Sequence, residues 1–269
     1  MAAALLDAYL DRIGLTEPVP ADVTGLRCLQ AAHVEAIPFE NLDILLGRGV
    51  NLDLARLRDK LIVQRRGGYC FEQNTLFVGI LREIGFTARP IEARVRAGAT
   101  AVLPRTHMVI AVEIDGQSWL ADVGFGGEGP CEPLAMTGEA TAATAGLAYR
   151  VVDEGELRVM QMRRDGAWHD QYAFLPHPVQ AIDLEVANWF TSTHPSSPFV
   201  RTLTAQRATR DVRYVLRYPA YTEIRASGTG TREIARVELL PLLRDVFLID
   251  LPADTIFPAI DGRAASALA

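Results

Sequence analysis

Residues 106–124, THMVIAVEIDGQSWLADVG, predict an antiparallel β-hairpin. The residues on either side of Asp115-Gly116 show the alternation that is typical of strands. Asp-Gly is a favoured pair for a two-residue hairpin loop, because both loop positions adopt positive φ angles. With that loop, Ile114 pairs with Gln117, and every other pair in the hairpin follows by counting outward.

This register places a histidine and a carboxylate on the same face of the hairpin. His107 lies opposite Gly124, and Asp122 is its diagonal neighbour, about 7–8 Å away at Cα. A carboxylate there can accept the Nδ1–H of the imidazole and turn the other ring nitrogen towards a nucleophile. A polar pair on a solvated face would have the same spacing, so the pattern leaves both interpretations open. The opposite face carries apolar side chains: Met108, Ile110, Val112, Ile114, Trp119 and Val123.

Helical and strand-like patterns are segregated along the chain. Apolar residues recur at helical spacing up to about residue 85, and alternating segments begin at residue 87. Helices are also predicted over 179–190 and 240–248, on either side of strand-like segments in 200–239. This segregation predicts an α+β fold rather than βαβ winding.

The composition is typical of a soluble globular protein. The 269 residues are 49% hydrophobic and 22% charged, with a net charge of −6. The sequence contains no Lys/Arg-rich block of the kind that binds nucleic acid. It also contains no run of about 18 apolar residues of the kind that spans a membrane. The N-terminal segment lacks the basic region of a signal peptide, and three widely spaced cysteines do not suggest disulfides. We therefore predict a cytoplasmic protein; the histidines lack ligand spacing, so no metal is predicted.

Cys70 stands at the start of a predicted helix, within RRGGYCFEQN at residues 65–74. A helix N-terminus and a nearby imidazolium both lower the pKa of a thiol and make it a nucleophile. Gly67-Gly68 permits a tight turn before the cysteine. Most free cysteines are small buried packing residues, so position alone leaves a structural role open. The hairpin register does not place Cys70 beside His107.

Several motifs together resemble the arylamine N-acetyltransferase family. They are PFENLD at 38–43, RRGGYCFEQN at 65–74, THMVI at 106–110, LADVGFGG at 120–127 and STHPSSPF at 192–199. The resemblance implies a helical bundle over 1–86, an antiparallel β-barrel over 87–199 and an α/β lid over 200–269. It also implies a Cys-His-Asp core. Transglutaminases share this triad, and papain-like proteases have asparagine in place of the aspartate.

The resemblance implies that Cys70 is the nucleophile, His107 its base and Asp122 the orienting carboxylate. The implied reaction is a ping-pong transfer of an acetyl group from acetyl-CoA, with no tightly bound cofactor. The acceptor is the nitrogen of an arylamine, arylhydrazine or N-hydroxyarylamine. A cysteine hydrolase or transglutaminase-like acyl transferase that does not use CoA is the alternative, because it uses the same triad. A non-catalytic binding protein would need a damaged triad.

Further positions follow from the same resemblance. Glu40 is implied to pair with Arg65 and to brace the loop before the nucleophile; a surface ion pair is the alternative interpretation. The amine pocket is implied to be lined by Phe39, Val95, Phe125 and Phe199, for which ordinary core packing is the alternative. A glycine-rich turn beside the acetyl-CoA entrance is implied at Gly124, Gly126 and Gly127.

Overall fold

The computed structural model describes residues 2–262; Met1 and residues 263–269, which belong to the predicted helical unit and lid, lie outside the described part. The α-helices are α1 Ala2–Ile13, α2 Val23–Ala36, α3 Leu42–Leu45, α4 Leu54–Leu57, α5 Cys70–Ile84, α6 Ala181–Thr193, α7 Pro198–Arg201, α8 Arg236–Asp245 and α9 Pro258–Asp261. A π-helix follows α4 at Arg58–Val63. The strands are β1 Phe39–Glu40, β2 Thr87–Val95, β3 His107–Ile114, β4 Gln117–Ala121, β5 Leu134–Ala135, β6 Ala148–Glu154, β7 Leu157–Arg164, β8 Ala167–Phe174, β9 Thr204–Ala208, β10 Val212–Arg217, β11 Ala220–Arg225 and β12 Gly228–Glu233.

Helices α1 and α4 pack against α5, which lies against β2 and β3. Leu76, Phe77 and Ile80 of α5 are fully buried in the core that these helices share with the sheet. At its C-terminal end α5 stops at Gly85, whose φ of 113° is the left-handed conformation that glycine adopts readily. The first residue of α5, Cys70, is thereby fixed by a helix that is anchored along its whole length.

The hairpin that the sequence predicts is present with the predicted register. Ile114 pairs with Gln117, and the loop residues Asp115 and Gly116 have φ angles of 51° and 79°. The hairpin belongs to an antiparallel sheet with the strand order β5-β4-β3-β2-β8-β7-β6. Because β5 also lies against β6, the sheet nearly closes into a barrel.

Both faces of the hairpin are buried. Ile110, Val112, Ile114 and Val123 pack against the helices, whereas Val109, Ala111 and Leu120 fill the barrel interior. His107 and Asp122 lie on the interior side, with exposed fractions of 3% and 2%. The interpretation of this couple as a polar pair on a solvated face is therefore wrong.

A second antiparallel sheet has the order β1-β9-β10-β11-β12. Its edge strand β1 comes from the N-terminal part of the chain, and α8 packs on the sheet through Leu239 and Leu243. The predicted α+β class is confirmed, while the predicted boundaries at residues 86 and 199 stay predictions. Within residues 2–262, no helix is both long enough and apolar enough to cross a membrane.

Candidate active site

The turn before Cys70 has room for glycine only. A Cβ atom on Gly67 would lie 2.1 Å from the carbonyl oxygen of Pro38, which no real side chain tolerates. The amide of Gln73 donates to the carbonyl oxygens of Pro38 and Gly68 at 2.9 and 3.0 Å. These contacts fix the backbone that leads into α5, and Cys70 is 3% exposed at the first position of that helix.

The structure brings Cys70, His107 and Asp122 together. Nε2 of His107 lies 2.8 Å from Oδ2 of Asp122, and Cys70 lies close enough to the same imidazole to help raise its pKa. The sequence predicted that Nδ1 would face the carboxylate, and this detail is wrong. The β3–β4 ladder ends at Ile110–Ala121, so His107 and Asp122 face each other beyond its last pair. Nε2, the ring nitrogen farther from the backbone, spans that gap, which leaves Nδ1 for the thiol.

Asp122 is held by hydrogen bonds from three further donors. Oδ2 accepts from the hydroxyl of Tyr172 at 2.9 Å. Oδ1 accepts from Nδ2 of Asn74 at 3.0 Å and from the N–H of Gly124 at 2.9 Å. Because each carboxylate oxygen has two partners, the carboxyl plane is fixed relative to His107.

Electrostatics favour the ionised His107–Asp122 pair. Burial alone would raise the pKa of Asp122, but the charge of His107 and the hydrogen bonds from His107, Asn74 and Gly124 hold it below its usual range. Burial alone would lower the pKa of His107, yet the charge and hydrogen bond of Asp122, with a contribution from Cys70, raise it to about 10. At neutral pH an imidazolium therefore stands beside the Cys70 side chain.

We expect the free energy of unfolding to fall as the pH rises from about 7 towards 10. An unfolded histidine has a pKa of about 6.5, whereas His107 in the folded chain titrates at about 10. Between these two pKa values the folded chain holds a proton that the unfolded chain has released. The protonated His107 therefore contributes its full stabilisation below the pKa of the unfolded state, and this contribution is lost as the pH rises through the pKa of the folded state. Urea titrations over this range measure the slope. His107→Gln should show a shallower slope, and equal slopes in both proteins would contradict the assignment.

The arginine that pairs with Glu40 is Arg66, and the prediction of Arg65 is wrong. Nε and Nη2 of Arg66 donate to Oε1 of Glu40 at 3.2 and 2.7 Å, and Nη2 also donates to Asp43 at 3.1 Å. Arg65 has a positive φ of 51° and an exposed side chain. This left-handed residue turns the chain so that the next side chain, rather than its own, enters the protein.

The pair belongs to a buried cluster of charges below the N-terminus of α5. Nζ of Lys60 lies 2.9 Å from Asp43 and 2.7 Å from Glu72, whose other oxygen accepts the N–H of Tyr69 at 3.1 Å. Burial alone would lower the pKa of Lys60, but Glu40, Glu72 and Asp43 raise it above its usual value. The cluster ties β1, the π-helix and α5 together, and no sequence motif indicated Lys60.

Arg66→Met is expected to lower the free energy of unfolding by about 3–5 kcal/mol, because Glu40 would stay buried without its cation. Arg65→Met is the matched control, since the side chain it changes is exposed; its effect should stay within about 0.5 kcal/mol. Urea denaturation of the two variants measures both changes. A larger loss in Arg65→Met than in Arg66→Met would contradict the observed pairing.

A cavity of about 440 Å³ opens beside the triad, and Cys70 and His107 form part of its wall. The four residues predicted for the amine pocket all line it: Phe39, Val95, Phe125 and Phe199. The ring of Phe125 lies 5.3 Å from that of His107, and the ring of Phe199 lies 5.9 Å from that of Phe39, between centroids. Lining residues that the sequence did not indicate include Leu103, Thr106, Glu128, Phe190, Gln206 and Arg217.

The predicted glycine turn packs closely on its neighbours. A Cβ atom on Gly124 would lie 2.7 Å from Cα of Cys70, so glycine lets this turn rest directly on the nucleophile. Gly126 and Gly127 pack against Gln206, whose Oε1 accepts the N–H of Gly127 at 2.8 Å. Only Gly124 of the three lines the cavity. A role in CoA binding stays a prediction for all three.

The other cysteines lie away from this chemistry. Cys28 is exposed and Cys131 is half-buried, and neither lines the catalytic cavity. In the part of the chain that the structure describes, no group of three or more His, Cys, Asp or Glu side chains is arranged as a metal site.

Comparisons with known proteins agree with the fold. The sequence model of a family described as N-acetyltransferase matches residues 22–256. The arylamine N-acetyltransferase of Mycolicibacterium smegmatis is 37% identical over 270 residues, which is 98% of each chain. Among solved structures, the Salmonella typhimurium arylamine N-acetyltransferase has a TM-score of 0.87 at 33% identity, covering 96% of this chain and 97% of its own. The Mycobacterium marinum enzyme in complex with CoA has a TM-score of 0.85 at 37% identity, with coverages of 91% and 92%. Sequence and structure agree over nearly the whole chain, and the protein therefore belongs to the arylamine N-acetyltransferase family.

Proposed function

We propose that the protein transfers the acetyl group of acetyl-CoA to the nitrogen of an arylamine, an arylhydrazine or an N-hydroxyarylamine. The observation that carries the proposal is the Cys70–His107–Asp122 array, which faces a cavity lined by aromatic side chains. Relatives named arylamine N-acetyltransferases support the class of acceptor, and the Mycobacterium marinum structure with CoA supports the class of donor.

Acylation starts from the Cys70 thiolate and the His107 imidazolium. The thiolate attacks the carbonyl carbon of the acetyl thioester and forms a new C–S bond. The tetrahedral intermediate then breaks its bond to the CoA sulfur. His107 donates its proton to this leaving thiolate, so CoA departs as a thiol and the acetyl group stays on Cys70.

The oxyanion of this intermediate needs a donor that is already in place. The backbone N–H of Cys70 is the candidate, because the first N–H groups of a helix have no carbonyl partner within it. The positive end of the α5 dipole points the same way. The Cys70 sulfur itself lies 3.7 Å from the carbonyl oxygen of Thr106, and this contact limits the rotation of the side chain.

Deacylation reverses the proton transfer. The acceptor nitrogen attacks the acetyl carbon, and the neutral imidazole of His107 takes the proton that this nitrogen loses. Cys70 leaves as a thiolate, and its charge is again balanced by the imidazolium. Asp122 holds the same ring in place through both half-reactions, which suits a ping-pong mechanism.

The acceptor would lie against the aromatic part of the cavity wall. Phe39, Phe125 and Phe199 offer ring faces and edges on which a flat amine can stack. Val95 adds aliphatic surface beside them. This wall supports aromatic acceptors over aliphatic amines of the same size.

Product analysis tests the proposal. The protein is incubated with acetyl-CoA and an arylamine, an arylhydrazine or an N-hydroxyarylamine, and chromatography measures acetylated acceptor and free CoA. We expect the two products in equal amounts and parallel lines in double-reciprocal plots. Release of acetate at a rate that does not depend on the acceptor concentration would indicate a hydrolase and contradict the proposal. Amide turnover with no use of acetyl-CoA would contradict it in favour of a transglutaminase-like enzyme.

A further inference from the structure

One cation on the wall of the catalytic cavity has no partner among the described residues. The ionisable side chains on that wall are Cys70, His107, Glu128 and Arg217. Cys70 and His107 interact with each other, and Oε1 of Glu128 accepts from Arg164 at 2.7 Å. Arg217 makes no side-chain hydrogen bond, ion pair or ring contact within residues 2–262 and is exposed. The wall therefore carries one uncompensated positive charge, at its solvent side.

The sheet geometry points this charge at the cavity. Arg217 is the last residue of β10 and is the direct partner of Thr204 on β9. Directly paired residues of an antiparallel ladder project from the same face of the sheet. Thr204 and Gln206 also line the cavity, so this face contributes three polar side chains to its wall. Phe39 of β1 is the direct partner of Gln206 and projects from the same face, so these polar groups lie beside an aromatic ring of the cavity.

We propose that Arg217 binds a phosphate group of CoA at the mouth of the cavity, and so makes the protein selective for phosphate-bearing acyl donors over short thioesters. The inference rests on the proposed function. CoA joins a thioester end, which must reach Cys70, to a pyrophosphate and a 3′-phosphate. Arginine binds phosphate oxygens through charge-assisted N–H donors. Glu128 does not oppose this, because Arg164 neutralises it.

Equilibrium binding tests the inference without any acetyl transfer. Titration calorimetry measures the Kd of CoA, dephospho-CoA and pantetheine for the native protein and for Arg217→Ala. We expect Arg217→Ala to weaken CoA about tenfold and pantetheine much less. Added salt should weaken CoA binding more in the native protein than in Arg217→Ala. Dephospho-CoA shows whether the 3′-phosphate or the pyrophosphate is the group bound.

Two further variants make the result specific. Arg210 is an exposed arginine in the turn between β9 and β10, and it does not line the cavity. Arg210→Ala changes the net charge as Arg217→Ala does. We expect this variant to bind CoA as tightly as the native protein. Arg217→Lys keeps a cation on a long stem and should bind CoA more tightly than Arg217→Ala. Equal losses for CoA and pantetheine in both Arg217 variants, or no loss at all, would overturn the inference. If the protein acetylates arylamines but shows either of these outcomes, the proposed function holds and only the phosphate site is wrong. The two failures are therefore distinguishable.

Discussion

Replacing Cys70 by serine is expected to lower kcat/KM for arylamine acetylation by at least about 10³-fold. A serine hydroxyl is far less acidic than a thiol, so the His107 imidazolium cannot hold it as an oxyanion near neutral pH. The substitution barely changes the volume of a side chain that is 3% exposed, so the fold should persist. Steady-state rates and urea denaturation measure activity and stability on the same samples.

Cys28→Ser is the matched control for this change. Cys28 is exposed on α2 and does not line the cavity, so its loss should leave kcat/KM unchanged. If Cys70→Ser retained more than about a tenth of the native activity, the thiol could not be the group that carries the acetyl.

Asp122→Asn is expected to lower kcat by about 10⁴-fold, the size of the loss when the aspartate of a Ser-His-Asp triad is replaced by its amide. A neutral amide no longer balances the imidazolium, and its NH₂ group would present a donor to a ring nitrogen that itself donates. His107 would then lose both its charge and its orientation. Rates of Cys70 alkylation at neutral pH should fall together with kcat, because the positive charge of His107 beside the sulfur would be lost.

This variant should also be less stable. Asp122 accepts from Tyr172, Asn74 and Gly124 as well as from His107, whereas asparagine has only one acceptor oxygen. Donors left unpaired in the interior cost about 1–3 kcal/mol. Tyr172→Phe is the control, because it removes one donor and keeps the carboxylate; its kcat should fall less than about tenfold. If Asp122→Asn changed neither activity nor stability, the His107–Asp122 pair would have no role.

The hairpin could be predicted because its information is local. Asp115-Gly116 selects the loop, the loop selects the pair Ile114–Gln117, and the two-residue period then assigns His107 and Asp122 to one face. The segregation of helical and strand-like patterns likewise predicted the α+β class. These features depend on neighbours in sequence, and the structure confirms both.

The parts that could not be predicted depend on contacts between distant segments. Cys70 meets His107 only because α5 packs on β2 and β3, and the family resemblance, rather than the spacing, indicated that contact. The cavity wall takes Phe190 from α6 and Gln206 from β9, and neither residue has a local signal.

Two errors of detail have the same origin. Arg65 and Arg66 are neighbours of the same type, and only the positive φ at Arg65 decides which of them reaches Glu40. The ring nitrogen of His107 that faces Asp122 depends on the gap beyond the end of the ladder. Sequence patterns give the face of a strand but carry no information at this level of geometry.

The most direct test of the acetyl-cysteine mechanism is the intact mass of the protein after incubation with acetyl-CoA alone. We expect a gain of one acetyl group, located by peptide mapping on Cys70, absent in Cys70→Ser and lost when an arylamine is added. An unchanged mass with the Cys70 thiol still titratable, or an acetyl group on another residue, would contradict it.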